Sequence, residues 1–196
     1  MTTDEAIQRS FPFKYRTRNL PWYPRRGTRN DMAVVLGKLG FNIGAEVGTY
    51  KGQYAKVLCD SNPKLHLTCI DPWRAYSHWT QEFEDKIYAT ALENLKGRNV
   101  TIIRKPSLDA VRDFKDESLD FVLVDGDHSF DGAMQDIIQW SYKVRKEGIV
   151  MVHDYWVSGI GADVVKAVDA YVHCHGIHPW YMLRENFAPT AFWVKK

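Results

Sequence analysis

Two short groupings carry the side chains best suited to chemistry: Asp125-Gly126-Asp127-His128 and His153-Asp154. An imidazole titrates near neutral pH and can act as a general acid or base, and carboxylates beside it can tune that proton. Two more acids, Glu46 and Asp71, share a placement with these groupings, because each stands at the end of a short apolar run (41–47, 65–70, 119–124 and 149–152). One acid after a strand is often just the N-cap of the next helix. Four strand ends that each deliver an acid are harder to explain by stability, since crowded carboxylates repel and are costly to desolvate.

Such acids need a scaffold that brings strand ends together. The run 41–47 leads through a glycine-rich bend into a helical pattern over 53–59, which Asn62-Pro63 ends. Further strands are expected at 65–70, 100–104, 119–124, 149–152, 179–184 and 191–194. Helices are expected at 30–39, 81–95, briefly after Ser107, at 131–145 and at 162–173, with Gly40 and Gly148 as stops. Alternating short strands and helices predict an α/β fold: a Rossmann-like, doubly wound, mostly parallel seven-stranded sheet with helices on both faces. The carboxyl ends of parallel strands line one rim, and ligands of such sheets bind there.

The bulk numbers suit one domain. The chain has 196 residues, 45% of them hydrophobic and 13% aromatic. No apolar run has the length of a membrane span and the first residues lack a leader pattern, so a cytoplasmic protein is expected. Cys59, Cys69 and Cys174 have no metal-site spacing and read as reduced thiols. A net charge of +2 does not point to nucleic acid. Nothing in the pattern decides between a monomer and a homodimer. His173, His175 and His178 around Cys174 lack the spacing of a closed zinc site and read as surface or helix-end residues.

Residues 1–27 read as an arm or lid rather than a core element, with the domain proper at 28–196. In the arm Phe11, Phe13, Tyr15, Trp22 and Tyr23 alternate with Lys14, Arg16, Arg18, Arg25 and Arg26, and three prolines oppose a helix. A substrate lid, an anion-binding arm and an extended segment that packs its aromatics on the domain are all consistent with this pattern. So is a nucleic-acid or partner-binding arm, which would make the chain a binding module.

The bend narrows the cofactor. Gly44, Gly48 and Gly52 do not have the spacing of a dinucleotide fingerprint, and no phosphate-binding Gly-Lys-Ser/Thr is present. Glu46 stands where a pyrophosphate would meet the turn and would repel it, so a phosphate-free cofactor with a cationic centre fits better. Asp71 lies 19 residues beyond Gly52, the expected place for an acid that bonds a ribose diol.

The run 46–52 resembles motif I of the class I S-adenosylmethionine (SAM) methyltransferases, and 119–128 and 148–155 resemble their fourth- and fifth-strand motifs. The resemblance covers about residues 41–194 and is strongest to methyltransferase domain 24 and to the macrocin, catechol and caffeoyl-CoA O-methyltransferases. It implies a SAM-dependent methyltransferase acting on a small-molecule acceptor, a hydroxyl above all. An oxidoreductase or hydroxylase-like enzyme on the same sheet is the alternative, since some relatives carry such names.

By that resemblance Glu46, Gly48, Thr49, Tyr50, Gly52, Asp71 and Asp125 bind the cofactor. Trp73 stacks on adenine or packs on the next helix, and Ser107 contacts the adenine edge or caps the short helix after it. His128 occupies the place of the catechol-type general base, with Asp125 beside it, or else caps the helix that follows. Asp125, His153 and Asp154 match the ligands of a divalent metal ion in the metal-dependent relatives. A histidine in that set suits Zn²⁺, Fe²⁺ or Mn²⁺ better than Mg²⁺. The same histidine could instead orient substrate with no metal present.

Overall fold

The computed structural model describes residues 1–15, 20–24, 26–77, 79–156, 161–183, 185 and 188–196. Arg16, Arg18 and Arg25 of the basic arm, His78 of the loop before the helix at 81–95, and Asn186 lie outside the described residues.

Period-two alternation of apolar side chains builds a sheet with a core on each face. The strands are β3 (Ile43–Val47), β4 (His66–Ile70), β5 (Val100–Ile103), β6 (Leu119–Val124), β7 (Val144–Val152), β8 (Tyr181–Leu183) and β9 (Thr190–Val194). They lie in the order β5-β4-β3-β6-β7-β9-β8, with β9 antiparallel to both its neighbours and the rest parallel. Phe121, Leu123, Ile149, Met151 and Phe192 face one core, and Val122, Val124, Val150, Val152 and Trp193 face the other. Helices α2 (Arg29–Lys38) and α3 (Gln53–Ser61) cover the first face; α5 (Ser107–Ala110), α6 (Phe130–Lys143) and α7 (Gly161–Cys174) cover the second. Helix α4 (Gln81–Leu95) joins the first core through Leu95 and makes a small core of its own with Ile87 and Ala91. The strand order reverses between β3 and β6, and their carboxyl ends open the crevice that such sheets use for ligands.

The structure departs from expectation at two elements. Residues 3–10 form a helix, α1 (Thr3–Ser10), whose Ile7 is fully buried in the first core together with Phe11. Its start is a capping box: the Thr2 hydroxyl accepts from Glu5 N while the Glu5 carboxylate accepts from Thr2 N. Two short strands, β1 (Phe13–Tyr15) and β2 (Tyr23–Pro24), follow. Trp22 N donates to Trp180 O and Met182 N to Trp22 O, which stitches this segment to β8. The second departure is β7, which begins directly after α6. Its register against β6 breaks between Leu119 and Phe121, and Glu147, not Gly148, takes the left-handed conformation there.

Candidate active site at the strand ends

Backbone bonds gather the acidic strand ends. Asp125 N donates to Val47 O (2.8 Å), His153 N to Val124 O (2.9 Å) and Gly48 N to Ile70 O (2.8 Å). Gly48 has φ +85°, and a Cβ there would sit 1.8 Å from the Asp125 carbonyl oxygen. Only glycine lets the end of β3 press against the end of β6 in this way. Gly44 has a different role, because a Cβ would collide with the Phe121 ring in the core.

Glu46 is buried beside this contact, and its Oε2 has no partner. Burial, with Asp125 adding repulsion, raises its carboxyl to about 8. Thr49 is also buried and its hydroxyl donates to Glu46 O (3.4 Å). Asp71 braces the bend from β4: Oδ2 accepts from Tyr50 N (2.9 Å) and Oδ1 from Trp73 N (2.8 Å). Tyr50 and Trp73 are both left-handed, a strain that clusters at functional rims. Gly52 ends the bend, also left-handed, at the start of α3.

Two expected adenine contacts are engaged elsewhere. The Trp73 indole is 1% exposed, packed on Tyr88, Ile87 and Ala91, and its Nε1 donates to Tyr50 O (2.9 Å). It locks the bend and offers no open face for stacking. Ser107 does not cap α5, whose cap position is Pro106. Its hydroxyl donates to Asp136 Oδ1 (2.5 Å) and accepts from Trp140 Nε1 (2.7 Å), tying α5 to α6.

Beyond β6 and β7 lies a cluster of two acids and two imidazoles. His128 Nε2 is 2.9 Å from Asp154 Oδ2 and 3.7 Å from Asp125 Oδ1, ion-pair contacts without the alignment of a hydrogen bond. His153 Nδ1 is 3.3 Å from Asp125 Oδ1 and 3.4 Å from Asp154 Oδ1. His128 does not cap α6, because the Ser129 hydroxyl does so by accepting from Gly132 N. Asp125 and Asp154 raise His128 to about 10. Burial pulls His153 down, but the same two acids outweigh it and raise that ring to about 9. Burial alone would raise both carboxyls, yet the histidines hold them below the usual range. The two acids thus hold the His128 proton more tightly than an ordinary imidazole holds its own.

The possible metal set also differs from the expected one. One ligand atom each from Asp125, His128 and Asp154 lies within 4.8 Å of the others. His153, expected in that set, is buried beside it, with Nδ1 against the same two acids and Nε2 unpartnered. Asp154 is left-handed (φ 56°), which aims its carboxylate back across the gap toward His128. Two carboxylates and one imidazole fit a borderline divalent ion.

Sequence patterns do not reveal Arg29, which enters the rim from α2. Its Nη1 is 3.9 Å from Asp125 Oδ2 and its Nε 3.5 Å from Glu185 Oε2. The available signal is the capping box Thr28–Asp31, which places Arg29 on the first turn of α2.

Residues 45–155, more than half of the chain, match the family model described as a methyltransferase domain. The chain belongs to this methyltransferase family. No curated protein sequence matches the methyltransferase. Among solved structures, the Podospora anserina methyltransferase PaMTH1, bound to S-adenosylhomocysteine (SAH), is 16% identical with a TM-score of 0.65, covering 86% of this chain and 78% of that one. An O-methyltransferase from Bacillus cereus in complex with SAH is 13% identical with a TM-score of 0.66, covering 98% and 90%. The precorrin-6y C5,15-methyltransferase from Geobacter metallireducens GS-15 is 13% identical with a TM-score of 0.63, covering 85% and 87%. These likenesses agree on the class I methyltransferase fold. Among the described residues, no helix of the methyltransferase is long and apolar enough to cross a membrane.

Proposed function

We propose that this methyltransferase moves the methyl group of SAM to a hydroxyl of a small molecule at the rim formed by Glu46, Asp71, Asp125, His128 and Asp154. The observation that carries the reading is the buried, unpartnered Glu46 oxygen beside the Gly48–Asp125 contact. A buried acceptor without a donor is costly, and the ammonium group of SAM can supply one. Asp71 spends one bond on each oxygen to hold the bend and keeps acceptor capacity for a ribose diol. Two relatives of the same fold carry SAH, which supports the cofactor.

SAM supplies a methyl group already activated on a sulfonium, so the protein's task is to position the acceptor and remove its proton. His128 has the geometry for that, with Asp154 at 2.9 Å to hold the resulting imidazolium. Positive charge brought beside Asp125 and Asp154 competes for the carboxylates that raise His128, and so lowers its hold on the proton. The sulfonium is one such charge; with a divalent ion held by Asp125, His128 and Asp154, the ring would be a ligand rather than the base. The ion's further contribution would be to acidify the acceptor hydroxyl. Free thiols at Cys59, Cys69 and Cys174 suit a reducing compartment such as the cytoplasm.

Calorimetric titration with SAM, SAH and NAD tests the reading. Binding of SAM and SAH without NAD is the expected result; NAD binding without either would overturn it.

A further inference from the structure

An amino-acid cofactor brings a carboxylate as well as an ammonium group, and a rim of acids repels it. We propose that Arg29 binds that carboxylate and that Glu185 occupies its place while the cofactor is absent. The assignment rests on the SAM reading above.

Arg29 is held where such a contact needs it. The Thr28–Asp31 box fixes the first turn of α2. The Tyr54 hydroxyl donates to Arg29 O (2.6 Å), tying that turn to α3, the helix that leaves the glycine bend. The guanidinium lies 4.6 Å from the Tyr54 ring centroid, a cation–π contact that orients its plane. Its positive charge also acts on Glu46, opposing the rise of that carboxyl. Arg29 therefore lies 3.9 Å from Asp125, one of the acids assigned to the positive part of the cofactor, and its charge reaches the other, Glu46.

Among the described residues the guanidinium is not saturated. It carries five donors, yet its contacts with Glu185 and Asp125 are 3.5 and 3.9 Å, well beyond the 2.7–2.9 Å of a charge-assisted bond. Its side chain is 28% exposed, so a ligand can reach it. The spot already accepts a carboxylate: Glu185 Oε1 takes the Arg29 backbone N–H (3.0 Å) at the start of α2, while Oε2 is the atom near Nε. Glu185 thus stands in for the ligand's carboxylate, with the helix N-terminus favouring negative charge. When the cofactor enters, its carboxylate takes the guanidinium fork, and Glu185 keeps the backbone N–H and yields the side chain.

The test compares SAH with its decarboxylated analogue, which differs only by the group in question. Calorimetry on the unaltered protein should show SAH binding tighter by about 10- to 100-fold, the range of a charged hydrogen-bonded contact. In Arg29→Ala the two should bind within about twofold of each other, the loss falling on SAH alone. Arg29→Lys keeps the charge without the fork and guards against a folding defect in the alanine variant; it should retain part of the preference. Glu185→Gln should leave or tighten SAH binding. An Arg29→Ala protein that keeps the full preference, or that loses both ligands equally while Arg29→Lys keeps it whole, overturns the assignment and leaves the SAM reading standing. If the unaltered protein binds neither ligand, the SAM reading falls first and Arg29's role with it.

Discussion

The Nε2 atom of His128 lies 2.9 Å from Asp154 Oδ2, across the gap between the ends of β6 and β7. That contact joins residues from two motifs 26 positions apart and sets the proton balance of the rim. If His128 removes the acceptor's proton, His128→Gln should lower kcat by about 100- to 10,000-fold, the usual worth of a general base. SAH affinity should stay within a few-fold if the ring serves the acceptor rather than the cofactor. Steady-state rates with calorimetry check both. Equal losses in the two would assign His128 to cofactor binding instead.

The same cluster makes stability depend on pH. His128 and His153 are raised from 6.5 to about 10 and about 9 in the folded chain. A histidine whose folded value is raised contributes stability that is fully present below its unfolded value and lost as pH rises through the folded one. The melting temperature should therefore fall between about pH 6.5 and pH 10. Asp154→Asn removes one of the two acids and should flatten that decline. A decline as steep in the variant as in the parent would show that other groups cause it.

Glu46 predicts a conflict between stability and function. Its carboxyl is raised from 4.5 to about 8, chiefly by burial, so the folded state binds a proton that the unfolded chain has released. Stability from this group declines as pH rises from about 4.5 through 8. Glu46→Gln removes the ionisable group at nearly constant volume. It should raise the denaturation midpoint at pH 8 and weaken SAH binding at least tenfold, an order-of-magnitude expectation for a lost charged acceptor. Unchanged SAH affinity would detach Glu46 from the cofactor.

Much of this arrangement is legible in the sequence, for identifiable reasons. The strand ends are, because alternation along 119–124 and 149–152 places every second residue in one of two cores and leaves the acids beyond the last buried position. The cluster's internal geometry is not. Whether His128 or His153 meets Asp125 and Asp154 in a metal-sized set depends on the left-handed backbone at Asp154, which no local pattern announces. Arg29 is hidden for another reason: it precedes the first rim strand and reaches the site only through the fold of α2 against α3. Helix α1 was within reach, since Thr2-x-x-Glu5 is a capping box, but the prolines and aromatics after it favour an extended arm. Trp73 reads equally well as a ring over a ligand or a ring in a core, and only its burial decides.

Gly48 tests whether the close approach of β3 and β6 builds the site. Gly48→Ala forces a side chain into φ +85° and sets a Cβ 1.8 Å from a backbone oxygen that cannot rotate away. The bend or the end of β6 must move. A loss of about 2 kcal/mol or more is expected in chemical denaturation, together with loss of SAH binding. An alanine variant with parental stability and affinity would show that the bend tolerates a shift and that the contact is incidental.

Zn²⁺ or Mn²⁺ distinguishes the two histidines. Asp125, His128 and Asp154 hold their donors within 4.8 Å, while the buried His153 is not in that set. An imidazole that ligates a metal must give up its proton, so binding should release protons near neutral pH, measured as a dependence of the calorimetric heat on the buffer's ionisation enthalpy. His128→Ala and Asp154→Asn should each weaken the metal by at least about tenfold, of the order seen when a ligand's support is removed. His153→Ala should cost less than either if its Nδ1, 3.3 and 3.4 Å from the two carboxylates, only steadies them. The reverse order, with His153→Ala the most damaging, would restore His153 to the ligand set and remove His128 from it.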